Sequence, residues 1–153
     1  MSCQADDLFH DISRTFSAIQ WHDSKLISLQ LLPKDNGQRH DLKIGLRLLT
    51  NAEPGNYDWQ DGSVEIEQCR TIRLSLDMLG IQLCGGDIAA AVCENASDMK
   101  DSPEYAQIRT FDLPQGDNPF AHLVHFRIIM IPPGGEINIL AKNFKLITKE
   151  TPS

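Results

Sequence analysis

The stretch Trp21-His22-Asp23-Ser24, followed at once by residues 25–32 (KLISLQLL), decides how this chain folds. Within it Ile27, Leu29 and Leu31 alternate with Ser28 and Gln30. Because successive side chains of a β-strand point to opposite faces, this alternation predicts a strand with one buried face. A strand that opens in this way can hold an indole, an imidazole and a carboxylate at one corner of a sheet.

A helix is predicted before this strand and a second strand after it. Apolar residues recur three or four positions apart at Leu8, Ile12, Phe16 and Ile19. This spacing predicts a helix over residues 7–18 that packs on a sheet, with Asp6 or Asp7 as its cap. Strand-like alternation returns at Leu42, Ile44, Leu46 and Leu48. The turn residues between the two strands predict an antiparallel hairpin.

The middle of the chain mixes strand patterns with turn residues. Residues 51–62 hold Pro54, two glycines, Tyr57 and Trp59, which predicts a polar loop. Within residues 64–78 the apolar side chains stand at even-numbered positions, with an interruption in the middle. This pattern predicts either one bulged strand or two strands joined by a turn. Gly85-Gly86-Asp87 precedes an alanine-rich run. This pattern predicts a turn, an N-cap at Asp87 and a short helix beginning near Ile88.

The last third of the chain is typical of strands. A face of Tyr105, Arg109, Phe111 and Leu113 predicts one strand, and the nearly continuous apolar run of residues 123–131 predicts a central strand buried on both faces. Pro132-Pro133-Gly134-Gly135 ends that run, and alternation then resumes. Near Lys142-Asn143 the apolar residues shift from odd-numbered to even-numbered positions, which predicts a bulge. The last two strands are expected to form a hairpin.

These elements predict an α+β domain that is mainly antiparallel β. About seven strands, an N-terminal helix and one short inner helix are expected to form a sandwich or an open barrel. A chain of 153 residues has the usual length of one domain, so residues 1–153 are expected to share a single core.

Composition narrows the possible partners and the compartment. The net charge is −7 and only 14 residues are Lys or Arg, so binding to a nucleic acid is not expected. We find neither an export signal nor an apolar run of the ~20 residues that cross a bilayer, which predicts a cytoplasmic protein without membrane contact. The four cysteines, Cys3, Cys69, Cys84 and Cys93, are then expected to be reduced thiols, the last three of them small core fillers.

Histidine and aspartate stand side by side at His10-Asp11, His22-Asp23 and His40-Asp41, and His122 and His125 are three residues apart. Imidazoles and carboxylates are the usual ligands of zinc and iron, so a metal site is a hypothesis to consider. Residues three apart in a strand point to opposite faces, and the remaining histidines lie on separate predicted elements. The pattern therefore predicts no metal and no other cofactor.

Two interpretations apply to the Trp21, His22 and Asp23 corner. In the structural one Trp21 is buried, Asp23 fixes the turn and His22 bonds to the corner. In the functional one Trp21, His22, Asp23 and His125 are ligand-binding residues, with His22 and Asp23 at the mouth of a pocket in contact with a polar ligand. Tyr57 and Trp59 likewise either form an exposed contact surface or fold back over the end of the sheet.

The sequence lacks the common catalytic motifs: a G-x-S-x-G elbow, a P-loop, a G-x-G-x-x-G turn and the kinase set. We therefore expect a non-enzymatic binding or protein-interaction module. The alternative is a small-ligand or metal-dependent enzyme that uses His22, Asp23 and His125. A structural subunit of a larger assembly is a third possibility.

The stretch Trp21-His22-Asp23-Ser24, with Leu26, Ile27 and Leu29 after it, resembles the opening strand of several small uncharacterised bacterial protein families. Some of these are grouped with toxin-immunity proteins. The resemblance covers residues 21–32. It implies a cytoplasmic protein that acts by binding a protein partner rather than by turnover, and the acidic charge agrees with that expectation.

Overall fold

The chain folds into two antiparallel β-sheets with helices beside them. The computed structural model describes residues 3–53, 56–96 and 123–148, and the side chains of residues 8–50, 57–96 and 123–148. Within this part of the chain the helices are α1 (Cys3–Ser17) and α2 (Met78–Leu83). The eight described strands are β1 (Lys25–Lys34), β2 (Arg39–Glu53), β3 (Asn56–Glu67), β4 (Thr71–Leu76), β5 (Ile88–Asn95), β6 (Val124–Met130), β7 (Gly135–Ala141) and β8 (Asn143–Thr148). The predicted α+β, mainly antiparallel fold is confirmed.

Each sheet has four strands. The chain crosses from the first sheet to the second between β3 and β4 and returns between β7 and β8, and these two crossings lie side by side at what we call the sheet corner. The first sheet has the order β1-β2-β3-β8 and the second the order β4-β7-β6-β5. Two backbone hydrogen bonds hold the corner: Arg70 N–H donates to Leu140 O at 2.7 Å and Lys142 N–H donates to Glu67 O at 3.2 Å. β3 thus leads into β4 beside the point where β7 leads into β8.

One hydrophobic core lies between the sheets. Ile44 and Val64 of the first sheet and Phe126 and Ile137 of the second are completely buried. From α1, the ring of Phe16 enters this core and lies 5.1 Å from the ring of Phe126. Burying apolar surface stabilises a fold by roughly 25 cal/mol per Å², so these inward rows supply most of the driving force for folding.

The predicted N-terminal helix, hairpins and central strand are confirmed, with changed details. α1 begins at Cys3, so Asp6 and Asp7 lie inside it instead of capping it. Leu8, predicted on its buried face, is exposed, whereas Ile12 and Phe16 are buried as predicted. β6 is central, since it pairs with β5 on one side and forms the expected hairpin with β7 on the other.

β1 departs from the predicted alternation at Ile27. The register of β1 against β2 shifts between Leu26 and Ser28, so Ile27 is an extra residue in a β-bulge. One inserted residue moves a side chain to the opposite face, and Ile27 is 61% exposed. Leu31 is also exposed, because β1 forms the edge of its sheet.

The loop predicted over residues 51–62 is wrong. β2 continues to Glu53 and β3 begins at Asn56, with Leu49 opposite Trp59 in the ladder. Pairing along two long strands satisfies the backbone groups and outweighs the turn residues. Gly62 suits this strand, because a Cβ there would come within 2.9 Å of Ile147 O on β8. Residues 54–55, with Pro54, lie outside the described residues.

The short helix predicted near Ile88 is also wrong, because Ile88–Asn95 is strand β5. The helical preference of alanine is small, and pairing with β6 outweighs it. The short helix is α2, where the side chain of Asp77 caps the start by accepting a hydrogen bond from Gly80 N–H at 3.1 Å. Asp87 caps no helix and instead bonds to Lys25.

The crossings between the two sheets explain why the apolar pattern changes within residues 64–78 and again near Lys142. The interruption within residues 64–78 is a turn between two strands, which is the second of the predicted alternatives. The bulge predicted at Lys142-Asn143 is wrong, because the parity changes where the chain leaves the second sheet and enters the first. The strand predicted from Tyr105 to Leu113 lies outside the described residues.

A substitution at Gly135 tests the close contact between β4 and β7. It adopts a φ of +95°, and an added Cβ would overlap with the carbonyl oxygen of Ser75. We expect Gly135→Ala to lower the free energy of unfolding by about 1 kcal/mol for the left-handed backbone and by ~1–3 kcal/mol more for the overlap. Gly37→Ala is the control, since Gly37 has a φ of +86° with no atom within 4 Å of an added Cβ. Equal losses in urea denaturation would contradict this account.

Candidate functional site

The tetrad that opens β1 connects α1 to the first sheet, and its tryptophan faces inward. Trp21 is buried, with its ring 4.8 Å from the ring of Phe16. Its indole N–H donates a hydrogen bond of 2.8 Å to Phe16 O. Trp21 was predicted as a ligand-contacting residue, but its burial supports the structural interpretation, because no part of the indole is left to meet a ligand.

Ser24 joins three elements at this corner. Its side chain is fully buried, and its hydroxyl donates to Gln20 O and accepts a hydrogen bond of 3.1 Å from Leu49 N–H on β2. The backbone carbonyl of Ser24 accepts a hydrogen bond of 2.8 Å from Ile88 N–H at the start of β5. Ser24 was not among the predicted site residues, although a serine between a tryptophan and an apolar strand was an available signal.

His22 and Asp23 lie on the surface of the same corner. The backbone N–H of Asp23 donates to Ile88 O at 3.0 Å, with Asp23 in the left-handed region at a φ of 67°. His22 Nδ1 lies 3.0 Å from Ala89 O, and its Nε2 lies 3.5 Å from a carboxylate oxygen of Asp23. When the ring is neutral, a proton on Nδ1 satisfies the carbonyl and leaves Nε2 as the basic nitrogen.

A lysine, an aspartate and a tryptophan complete the surface. Lys25 Nζ donates to Asp87 Oδ1 at 2.6 Å and lies 5.7 Å from the ring centre of Trp59. Trp59 is 40% exposed and Tyr57, two residues earlier on β3, is 57% exposed. Of the two interpretations for these aromatics, the structure therefore favours the exposed surface. We call His22, Asp23, Lys25, Trp59 and Asp87 the corner surface.

His125 lies apart from the corner surface. It is buried on β6, with Nε2 2.9 Å from Asn138 Oδ1 and Nδ1 3.9 Å from Glu94 Oε2. In the ladder it pairs with Glu94, whereas His22 contacts Ala89, which is five residues earlier on β5. Five residues of a strand span about 17 Å, so His125 cannot share a small ligand with the corner.

The other histidines do not converge either. His10 is exposed on α1, and His40 is partly buried on β2. His122 lies outside the described residues. Among the residues whose positions the structure gives, no group of three or more His, Cys, Asp or Glu side chains is placed to hold a metal ion.

Arg127 and Glu136 form a charged pair on the second sheet. Arg127 donates to Glu136 through Nε at 2.9 Å and through Nη2 at 2.8 Å. These hydrogen bonds lower the pKa of the Glu136 carboxyl, since they favour its ionised form. The pair thus adds stability at neutral pH that is lost as the pH falls through the lowered pKa of Glu136.

Burial makes two thiols poor nucleophiles. It raises the pKa of Cys69 to about 11 and that of Cys93 to about 12, in each case mainly through loss of solvation. Cys69, Cys84 and Cys93 are all free of disulfides. Because the thiolate is the reactive form, neither Cys69 nor Cys93 suits nucleophilic chemistry at neutral pH.

Comparison with protein-family models, with curated proteins and with solved structures found no match for this chain. No helix among the described residues combines the length and the apolar character needed to cross a membrane. The geometry and chemistry of the corner surface are therefore the main guide to function.

Loss of the Ser24 hydroxyl should weaken the whole fold. Ser24→Ala leaves the buried Leu49 N–H without its acceptor, which we expect to lower the free energy of unfolding by ~1–3 kcal/mol. Ser75→Ala, at an exposed position on β4, is the matched control and should change it by less than about 0.5 kcal/mol. Urea denaturation measures both values, and equal effects would exclude the proposed role of Ser24.

The two buried thiols should make stability fall in alkali. The unfolded chain releases these protons near the ordinary pKa of 9.0, before the folded protein does at about 11 and about 12. The free energy of unfolding should therefore decline above pH 9.0. A Cys69→Ala, Cys93→Ala variant should show a smaller decline over the same range in urea titrations. An identical slope in both proteins would rule out this contribution.

Proposed function

We propose that this chain is a non-enzymatic binding module that engages a protein partner through the corner surface and the neighbouring Tyr57. The observation that carries this proposal is the exposed indole of Trp59 beside Lys25. Tryptophan and tyrosine are prominent among the residues that dominate binding energy at protein interfaces. Trp59 and Tyr57 are both exposed on β3, and exposed apolar groups that lie together and are rimmed by polar residues mark interaction sites.

The surroundings of Trp59 favour binding without rearrangement. Trp59 pairs with Leu49 of β2, and β3 also pairs with β8 from Gly62 onward, so the backbone that carries the indole is held by the ladder with β2. Lys25 is in turn held by Asp87 at 2.6 Å. A surface that is already ordered loses little conformational entropy on association, which favours affinity.

Charge supports a protein partner of complementary sign. Lys25 lies beside the indole and is paired with Asp87, and His22 and Asp23 are the further polar members of the corner surface. Such groups suit the polar rim of an interface. The net charge of −7 favours a basic partner and disfavours polyanions, so nucleic acid is not part of the proposal. The resemblance of residues 21–32 to families grouped with toxin-immunity proteins supports the same class of function, in the cytoplasm.

A second candidate function rests on the His22–Asp23 pair. An imidazole 3.5 Å from a carboxylate can move a proton, so an enzyme with His22 as its general base is the alternative. Both side chains are more than half exposed, and water competes with any substrate there. The binding module is for that reason the preferred proposal.

Affinity capture from the source cell with matched variants tests the proposed surface. The tagged chain should retain a specific partner, and Trp59→Ala should abolish its recovery because the central contact is lost. Leu83→Ala is the control, since Leu83 is an apolar residue on α2 that is 75% exposed, more than Trp59. Equal recovery with both variants would reject the corner surface. Turnover of a small substrate that His22→Ala abolishes would instead establish the enzyme.

A further inference from the structure

A groove crosses the outer face of the first sheet, next to the corner surface. Its floor is a single cross-strand row of small residues, in which Ser28 pairs with Gly45 and Gly45 pairs with Ser63. The row ends on β8 at Ile147. The groove has a volume of about 380 Å³, which lies within the range of roughly 300–1,000 Å³ found for small-molecule sites.

Gly45 keeps the floor of the groove low. A Cβ at this position would overlap with the hydroxyl of Ser28, so any larger residue pushes a side chain into the groove. Ile27 also owes its place on the rim to the backbone, because the β-bulge turns it outward. The shape of the groove therefore depends on two local backbone features of neighbouring strands.

Ser63 places a hydroxyl on the floor of the groove. It lines the groove and is only 6% exposed, and its hydroxyl makes no hydrogen bond within the described part of the chain. The oxygen of Ser63 is not among the buried polar atoms that lack a partner, so it is open to a group that lies in the groove. A serine hydroxyl can donate a hydrogen bond to an oxygen atom placed there.

The walls of the groove carry an unpaired cation. Lys43 and Arg47 lie on β2 two residues to either side of Gly45, and therefore on the same face. Arg47 has Asp61 at 3.7 Å. Lys43 has no ion pair among the described residues, because Glu65, opposite it in the ladder, is taken by Lys145 at 3.3 Å.

We propose that this groove binds a small aliphatic carboxylate. The carboxylate is paired with Lys43 and accepts a hydrogen bond from the Ser63 hydroxyl. Its hydrocarbon part lies against the exposed side chains of Ile27 and Ile147 at the rim. Charge-assisted hydrogen bonds are about twice as strong as neutral ones, which selects an ionised acid over its neutral analogue. This inference does not depend on the protein-binding proposal, since Trp59 does not line the groove.

A titration of the full chain with isocaproate, followed by the backbone amide signals, tests the proposal. Saturable shifts are expected at Gly45 and Ser63. Isocaproamide has the same shape without the charge and should bind roughly tenfold more weakly or worse. Lys43→Met should weaken isocaproate binding by about tenfold. Lys142→Met removes the same charge from an exposed position outside the groove lining and should leave the affinity within about twofold.

Three results would overturn the proposal: no saturable shift up to the solubility limit of isocaproate, equal binding of isocaproamide, or equal losses from Lys43→Met and Lys142→Met. A Trp59→Ala variant separates the two proposed sites. Isocaproate should bind it as it binds the unaltered chain, whether or not Trp59 proves essential for capture of a protein partner. Loss of isocaproate binding in Trp59→Ala would assign the ligand to the corner surface and reject the groove.

Discussion

The buried hydroxyl of Ser24 is the interaction on which the corner, and with it the proposed binding surface, depends. It accepts from Leu49 N–H on β2 and donates to Gln20 O after α1, while the Ser24 carbonyl receives Ile88 N–H from β5. A hydroxyl is stable in a core only when its hydrogen bonds are made, so these elements must meet in one geometry. That geometry sends Trp21 inward and leaves His22 at the surface.

The inner faces of the two sheets provide stability, and the outer face of the first sheet carries Trp59 and the groove, to which binding is proposed here. Those inner faces share one core. The turn before Thr71 takes the chain from the first sheet to the second, and the crossing at Lys142, beside that turn, takes it back. On the outer face of the first sheet Trp59 is exposed, and the groove runs along the row through Gly45. Strand pairing orders this face, which suits the proposed binding, because little order has to be created on association.

Local patterns correctly predicted the elements whose side chains have a clear inside and outside. α1, the β1–β2 hairpin and the central β6 follow from apolar spacing. Residues 51–62 and 88–95 were misjudged, because turn residues and alanines carry preferences smaller than the free energy of pairing with a neighbouring strand. The bulge at Ile27 escaped prediction for a related reason, since a one-residue shift of register is a property of the pair of strands.

By itself, the sequence determined the fold class and the residue types available at the corner, since periodicity and composition are local properties. Only the tertiary structure decided which of them meet. It buried Trp21 and placed Lys25 between Asp87 and Trp59. It also separated His125 from His22. The physical reason is that strand order and register bring together residues far apart in the chain, and no spacing along one segment encodes its partner strand.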